Sequence, residues 1–240
     1  MIKLGVLVSG SGSNLQAIID EIASKRLEAE IKVVISNKGD AYGLTRAKDH
    51  GIPSRVITKE AFPDKEAFDG EITRTLKESG VELVVLAGYM RLLSPSVIRA
   101  FPMRIMNIHP ALLPSFTGVH VQQKALEYGV KFTGATVHFV DEGLDTGPII
   151  IQAVVPVLDG DTAPSLSKRI LAQEHRIYPE AIRLFAEGSL TVEGRRVFVK
   201  NPPRVAPPAV VSGVRGATPA GAAPLSLENP CVRAFEETKK

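Results

Sequence analysis

Three polar residues in this 240-residue chain have the types and spacing for acid–base chemistry at a carbonyl carbon: Asn107, His109 and Asp145. In Asn107-Ile108-His109-Pro110, the period of two along a strand sends Asn107 and His109 to one side. An asparagine amide can donate to a carbonyl oxygen that becomes an oxyanion, and a histidine can give or take a proton near neutral pH. Asp141-Glu142-Gly143-Leu144-Asp145-Thr146-Gly147-Pro148 is a glycine-rich acidic loop between two apolar runs, a setting that often carries function. A carboxylate such as Asp145 beside His109 would orient the ring and favour its charged form. Each piece also has an ordinary structural reading. His109 can be a ring satisfied by a backbone carbonyl in an X-Pro turn, and the acidic loop is built from common turn formers.

A further candidate lies near the start. Ser9-Gly10-Ser11-Gly12-Ser13-Asn14 follows an apolar run and opens a helix, so backbone N–H groups and a positive helix end face one small volume, as an anion requires. A dinucleotide fingerprint would need a third small residue where Leu15 stands and an acid at the end of the second strand, where the chain has Ser36 and Asn37. Gly12, Ser13 and Asn14 are therefore read as holders of a phosphate, against the alternative of a tight turn with no ligand.

The elements that must position these residues alternate. Ile2 to Val8, Ile31 to Ser36, Leu83 to Ala87 and Arg104 to Ile108 read as strands buried on both faces, with helical patterns between them. That order predicts an α/β fold with a mostly parallel sheet and helices on both faces. Open sheets of this kind bind ligands at the carboxyl edge, where Asn107 and His109 fall. Ser13 with Gln16 three residues on predicts a capping box. Gly51 and Gly80 mark helix ends, and Ser94-Pro95 marks a helix start. Phe132 to Val140 and Ile149 to Val155 read as strands, Ser165 to Glu187 as a long amphipathic helix, and Leu190 to Val199 as a hairpin turning at Glu193 and Gly194. The sheet is expected to become mixed in this C-terminal part. After Lys200, seven of the 17 prolines fall within 40 residues, so 1–200 is read as one domain and 201–240 as a flexible Pro/Ala-rich tail.

Composition narrows the function classes. The tail holds five of the 29 cations and three of the 26 acids, and so two of the three net positive charges, which leaves no basic footprint for nucleic acid on the rest. No apolar stretch approaches the roughly 18 residues a spanning helix needs. Met1 to Val8 lacks a following cleavage site and reads as a buried strand. One cysteine, Cys231, allows no disulfide framework, and a cytoplasmic location is expected. No histidine pair has the i, i+4 spacing of a zinc site, so no metal is expected. His50 reads as a helix C-terminal residue, His175 as part of the long helix, His138 as a strand residue among apolar neighbours and His120 as a loop residue.

Taken together, Gly10-Ser11-Gly12-Ser13-Asn14-Leu15-Gln16, Ala87-Gly88-Tyr89-Met90-Arg91-Leu92-Leu93-Ser94-Pro95, Asn107-Ile108-His109-Pro110-Ala111-Leu112-Leu113-Pro114 and Leu144-Asp145-Thr146-Gly147-Pro148 closely resemble the folate-dependent formyltransferases. The first motif together with Gln173-Glu174-His175-Arg176-Ile177-Tyr178-Pro179 resembles their glycinamide ribonucleotide branch, and the match runs in order from Ile2 to Phe198. The resemblance implies a Rossmann-like formyltransferase fold. It also implies formyl transfer from 10-formyltetrahydrofolate, as co-substrate, to the amine of glycinamide ribonucleotide in purine synthesis. It gives Asn107 and His109 the oxyanion and Asp145 the task of holding His109 charged and relaying a proton. Gly12, Ser13 and Asn14 would hold the phosphate, with Glu174 near the amino-sugar end. Met90, Arg91, Leu92, Leu93, Asn107 and Val140 to Asp145, Asp141 included, would line the folate pocket, and Lys65 would meet the folate's glutamate carboxylate. The partners are small molecules, with the protein a monomer or homodimer.

The sequence departs from the family pattern at Ala111, where serine is usual, and at Ser115-Phe116-Thr117-Gly118-Val119-His120, which leaves that loop's conformation open. A formyltetrahydrofolate hydrolase shares the three central residues but usually carries an N-terminal regulatory domain, whereas this chain starts at its first strand. A transfer-RNA formyltransferase adds a basic C-terminal domain, for which the tail is too poor. A non-catalytic nucleotide-binding module would need only the phosphate loop.

Overall fold

The computed structural model describes residues 1–200; the tail expected at 201–240, and Cys231 with it, lies outside the described residues. Besides a 3-10 turn at Lys59–Ala61, the elements are β1 (Ile2–Val8), α1 (Ser13–Ala23), β2 (Ala29–Ser36), α2 (Tyr42–Asp49), β3 (Ser54–Val56), α3 (Lys65–Glu78), β4 (Leu83–Leu86), α4 (Pro95–Ala100), β5 (Ile105–His109), α5 (Val121–Tyr128), β6 (Phe132–Phe139), β7 (Ile149–Pro156), α6 (Ala163–Ala186), β8 (Leu190–Glu193) and β9 (Arg196–Val199). They form one nine-stranded sheet in the order β3-β2-β1-β4-β5-β6-β7-β9-β8.

The first five strands of the chain run parallel, and β6 reverses direction against both β5 and β7. The sheet is thus mostly parallel on one side and mixed on the other, as the sequence predicts. Helices cover both faces. Leu15 and Ile18 of α1, Ala47 of α2 and Leu166, Ile170 and Ile182 of α6 pack into one apolar cluster, while Phe68, Ile72 and Leu76 of α3 and Val97 of α4 pack into a second. Both clusters use β-branched and leucine side chains of the central strands, which explains why those strands read as continuous apolar runs.

Boundaries differ from the predicted ones where backbone conformation overrides residue type. The capping box at Ser13 and Gln16 does not form, because Gly12 occupies the N-cap in the left-handed region (φ 65°) with no side-chain cap. The capping box belongs to α6, where Thr162 and Ser165 exchange side-chain and backbone hydrogen bonds. Gly51 and Gly80 do end their helices with positive φ, and Ser94-Pro95 does start α4. The short edge strand β3 and the helix α5 are not among the predicted elements. Helix α6 is anchored by Tyr178, whose buried hydroxyl lies 3.1 Å from the Leu86 carbonyl oxygen of β4 and 2.9 Å from that of Met106 in β5. One turn earlier the same helix carries Glu174. No helix among the described residues is long and apolar enough to cross a membrane.

Candidate active site

The site forms where the sheet changes from parallel to antiparallel. Asn107 and His109, at the end of β5, pair across the strands with His138 and Thr136 of β6. The loop after β6 folds back so that Asp145 reaches the same place, in the left-handed region at φ 54°, which aspartate tolerates better than most residues. The His109 Nδ1 stands 3.5 Å from an Asp145 carboxylate oxygen, and both side chains are almost fully buried.

The hydrogen bonds around this cluster assign directions to its protons. His109 Nε2 lies 2.8 Å from the Phe116 carbonyl oxygen, which can only accept, so that nitrogen donates. The other ring nitrogen then faces the carboxylate, and an imidazolium satisfies both neighbours at once. Asp145 is itself held by the Gly118 N–H at 2.9 Å. The loop that departs from the family pattern therefore supplies both groups that brace the His109 and Asp145 pair. Ala111 is buried, and its carbonyl accepts from the Thr136 hydroxyl at 2.7 Å, so the contact is made by its backbone.

His138 belongs to the cluster although its surroundings in the sequence suggested an ordinary strand position. Its Nδ1 donates to the Phe139 carbonyl at 2.8 Å, and burial holds the ring's pKa below the usual histidine value. A neutral ring with Nδ1 protonated has a bare Nε2, which accepts from the Asn107 amide at 3.2 Å. That bond turns the Asn107 amide nitrogen toward β6 and leaves its second N–H without an acceptor among the described residues. At 3.8 Å from Asp145, the His138 Nε2 is too far for a hydrogen bond.

A cavity of about 820 Å³ opens beside these residues. Its wall includes Asn107, His109, His138 and Asp145, the segment Met90 to Leu93, Val140, Gly143 and Leu144, and also Asn14 and Glu174 from the opposite helices. Met90 and Leu92 are exposed there, an apolar lining available to a flat ring system. Asn14 donates to Glu174 at 2.7 Å, and burial holds the Glu174 carboxyl above the usual carboxylate range. The Asn14 side-chain oxygen is buried without a partner, which leaves an acceptor for a ligand's amine or hydroxyl.

Other predicted residues stand outside this wall. Gly12 and Ser13 sit on the adjoining loop, where no acceptor among the described residues takes the N–H groups of Gly12, Ser13 or Asn14. Gly12 is required there by its positive φ, and also because an added Cβ would lie 2.7 Å from the Gly43 Cα. Asp141 turns into its own loop, accepting from the Gly143 N–H and the Thr146 hydroxyl, so its carboxylate braces the loop. Lys65 is not part of the cavity wall and pairs at 3.2 Å with the buried carboxylate of Asp69, one helical turn on, which also accepts from the Ser94 N–H. His120, read as a loop residue, is the left-handed N-cap of α5 and lines the cavity. Among the described residues no group of three or more His, Cys, Asp or Glu side chains could hold a metal ion.

Residues 2–182 match the family model described as formyl transferase. The phosphoribosylglycinamide formyltransferase of Escherichia coli K12 is 45% identical over 185 residues, covering 77% of this chain and 87% of that protein. The trifunctional purine biosynthetic protein adenosine-3 of Drosophila pseudoobscura pseudoobscura is 52% identical over 190 residues, and the matched region spans only 14% of that much longer chain. Glycinamide ribonucleotide transformylase 1 from Symbiobacterium toebii superposes with a TM-score of 0.82 at 57% identity, over 83% of this chain and 94% of the other. A formyltetrahydrofolate deformylase from Pseudomonas syringae shares the fold with a TM-score of 0.78 at 30% identity, over 82% of this chain but 65% of its own. With the Rossmann-like formyltransferase fold, the ordered motifs and this similarity over most of its length, the chain belongs to the formyl transferase family, among the phosphoribosylglycinamide formyltransferases.

Proposed function

We propose that this protein transfers the formyl group of 10-formyltetrahydrofolate to the primary amine of glycinamide ribonucleotide, a step of purine biosynthesis, and that it does so in the cytoplasm. The observation that carries the reading is the convergence of Asn107, His109 and Asp145 on one cavity wall, from a strand end and a loop 36 positions apart in the chain. The amine nitrogen attacks the formyl carbon, the bond from that carbon to the folate nitrogen breaks, and the proton lost by the amine ends on the departing nitrogen.

The chain's own groups suit this course. The free N–H of the Asn107 amide and the charged His109 ring stabilise the oxyanion, a type of contact typically worth about 3 to 4 kcal/mol when a pre-aimed donor is removed. Asp145 keeps His109 charged and oriented and lies close enough to pass a proton. The N–H groups of Gly12, Ser13 and Asn14 hold the phosphate, and Glu174 with Asn14 holds the amine end. The folate ring lies along Met90 to Leu93 and Val140. Residues 1–200 act as the catalytic domain, in a monomer or homodimer whose ligands are small molecules.

The test mixes purified protein with both substrates and follows release of deformylated folate. Release that depends on the amine supports the proposal. Release at the same rate without it would show a hydrolase, like the Pseudomonas relative, and no release with any acceptor would leave only a binding role.

A further inference from the structure

Arg46 of α2 touches the anion loop from behind. Its Nε donates to the Ser11 carbonyl at 2.9 Å, and one terminal nitrogen donates to the Gln16 side chain of α1, also at 2.9 Å. Gln16 is held in turn by Asp20, and the Gly43 N–H of α2 donates to the Gly10 carbonyl. Loop and both helices are thus tied on each side of Gly12, the residue whose missing side chain lets α2 come this close. Three features set Arg46 apart from an ordinary surface cation. Among the described residues its hydrogen bonds go to a carbonyl and a neutral amide, none to a carboxylate, and its second terminal nitrogen has no protein acceptor. The guanidinium is stacked on Tyr42, 4.9 Å from the ring centre, which fixes its plane. It also faces a separate polar hollow of about 380 Å³ that Ser13 and His175 share, and its charge, after burial, helps hold the His175 pKa down.

We propose that Arg46 is a positioning residue for the substrate's phosphate. It pulls the Ser11 carbonyl away from the ligand side, holds the N–H groups of Gly12 to Asn14 convergent, and adds beside the loop a positive charge that forms no ion pair with a carboxylate among the described residues. This rests on the reading of the loop as the phosphate site. A cation serving only to stitch α1 to α2 would matter equally to any substrate, whereas one serving the phosphate matters only to a substrate that has one.

The experiment compares glycinamide ribonucleotide with its dephosphorylated riboside at a fixed, saturating folate concentration. Arg46→Ala is expected to lower kcat/KM for the nucleotide about tenfold, through KM, with the riboside value unchanged. Arg46→Lys, which keeps the charge but not the forked donors, is expected to fall between the two, and it carries the test if the alanine variant folds poorly. An equal loss on both substrates, or no loss on either, would overturn the proposal. A chain that turns over neither substrate would sink the formyl-transfer reading instead. In that event the affinity for ribose 5-phosphate, measured calorimetrically in parent and variant, still decides the role of Arg46: weaker binding in the variant supports it and equal binding rejects it.

Discussion

At the end of β1 the molecule meets its ligand space with backbone: a left-handed glycine, N–H groups without acceptors, and a helix end behind them. At the junction of β5 and β6 it does so with side chains, Asn107 and His109 from one strand, His138 from its neighbour, and Asp145 from a loop that returns to within 3.5 Å of His109. The difference follows from strand direction. Parallel strands deliver each helix N-terminus to one edge, so the parallel part binds charge by repetition of the same device. An antiparallel neighbour instead places cross-strand residues side by side, so Asn107 and His138 can orient each other. Binding of the anion and chemistry at the carbon should therefore fail separately.

The sharpest way to break that separation is at the chemical end. His109→Ala and Asp145→Asn are each expected to lower kcat by at least about two orders of magnitude while the KM for the nucleotide changes by less than about threefold. Steady-state kinetics with both substrates varied checks this, and a KM effect as large as the kcat effect would merge the two regions. Next in size is Gly147→Ala, whose new Cβ would lie 1.7 Å from the Phe139 carbonyl oxygen. The strand end or the loop must give way, so thermal melting should show a loss of about 1–3 kcal/mol, with kcat falling as Asp145 shifts.

At the phosphate end, Gly12→Ala forces a left-handed backbone and a clash with Gly43. It is expected to raise the nucleotide KM about tenfold and to cost about 1–3 kcal/mol of stability, with kcat at saturation nearly kept. The smallest effect concerns Glu174. Because burial raises its folded pKa above the unfolded value, its contribution to stability is complete at low pH and is lost as pH rises through the folded value. Glu174→Gln should therefore melt with the parent at about pH 4 and above it by a few degrees, roughly 2–4 °C per kcal/mol, near pH 7. Equal melting at both values would mean the carboxylate is compensated within the fold.

How much of this was legible in the chain depended on range. The strands, the helix ends at Gly51 and Gly80 and the shared side of Asn107 and His109 follow from periods and local turn chemistry, and they appear as read. His138 was missed because period two places it with Thr136, yet only the pairing of β6 against β5 says which face that is. Had the antiparallel return been assumed, an imidazole opposite Asn107 would have been the signal. Lys65 and Asp141 were assigned to ligands by resemblance. Each also has an acceptor or donor within five residues, a contact that local spacing alone can bring about. The capping box at Ser13 failed because a left-handed glycine ended the preceding loop, a backbone choice that residue types alone do not announce.

Tyr178 carries a last consequence. A phenol has one hydrogen, and here two carbonyl oxygens on neighbouring strands lie within reach of it. It can donate to one fully or to both weakly, so the clasp between the end of β4 and the start of β5 is shared and never doubled. One phenol thus spans the seam between two parallel strands, and the rod that bears Glu174 is seated on both through a single shared hydrogen.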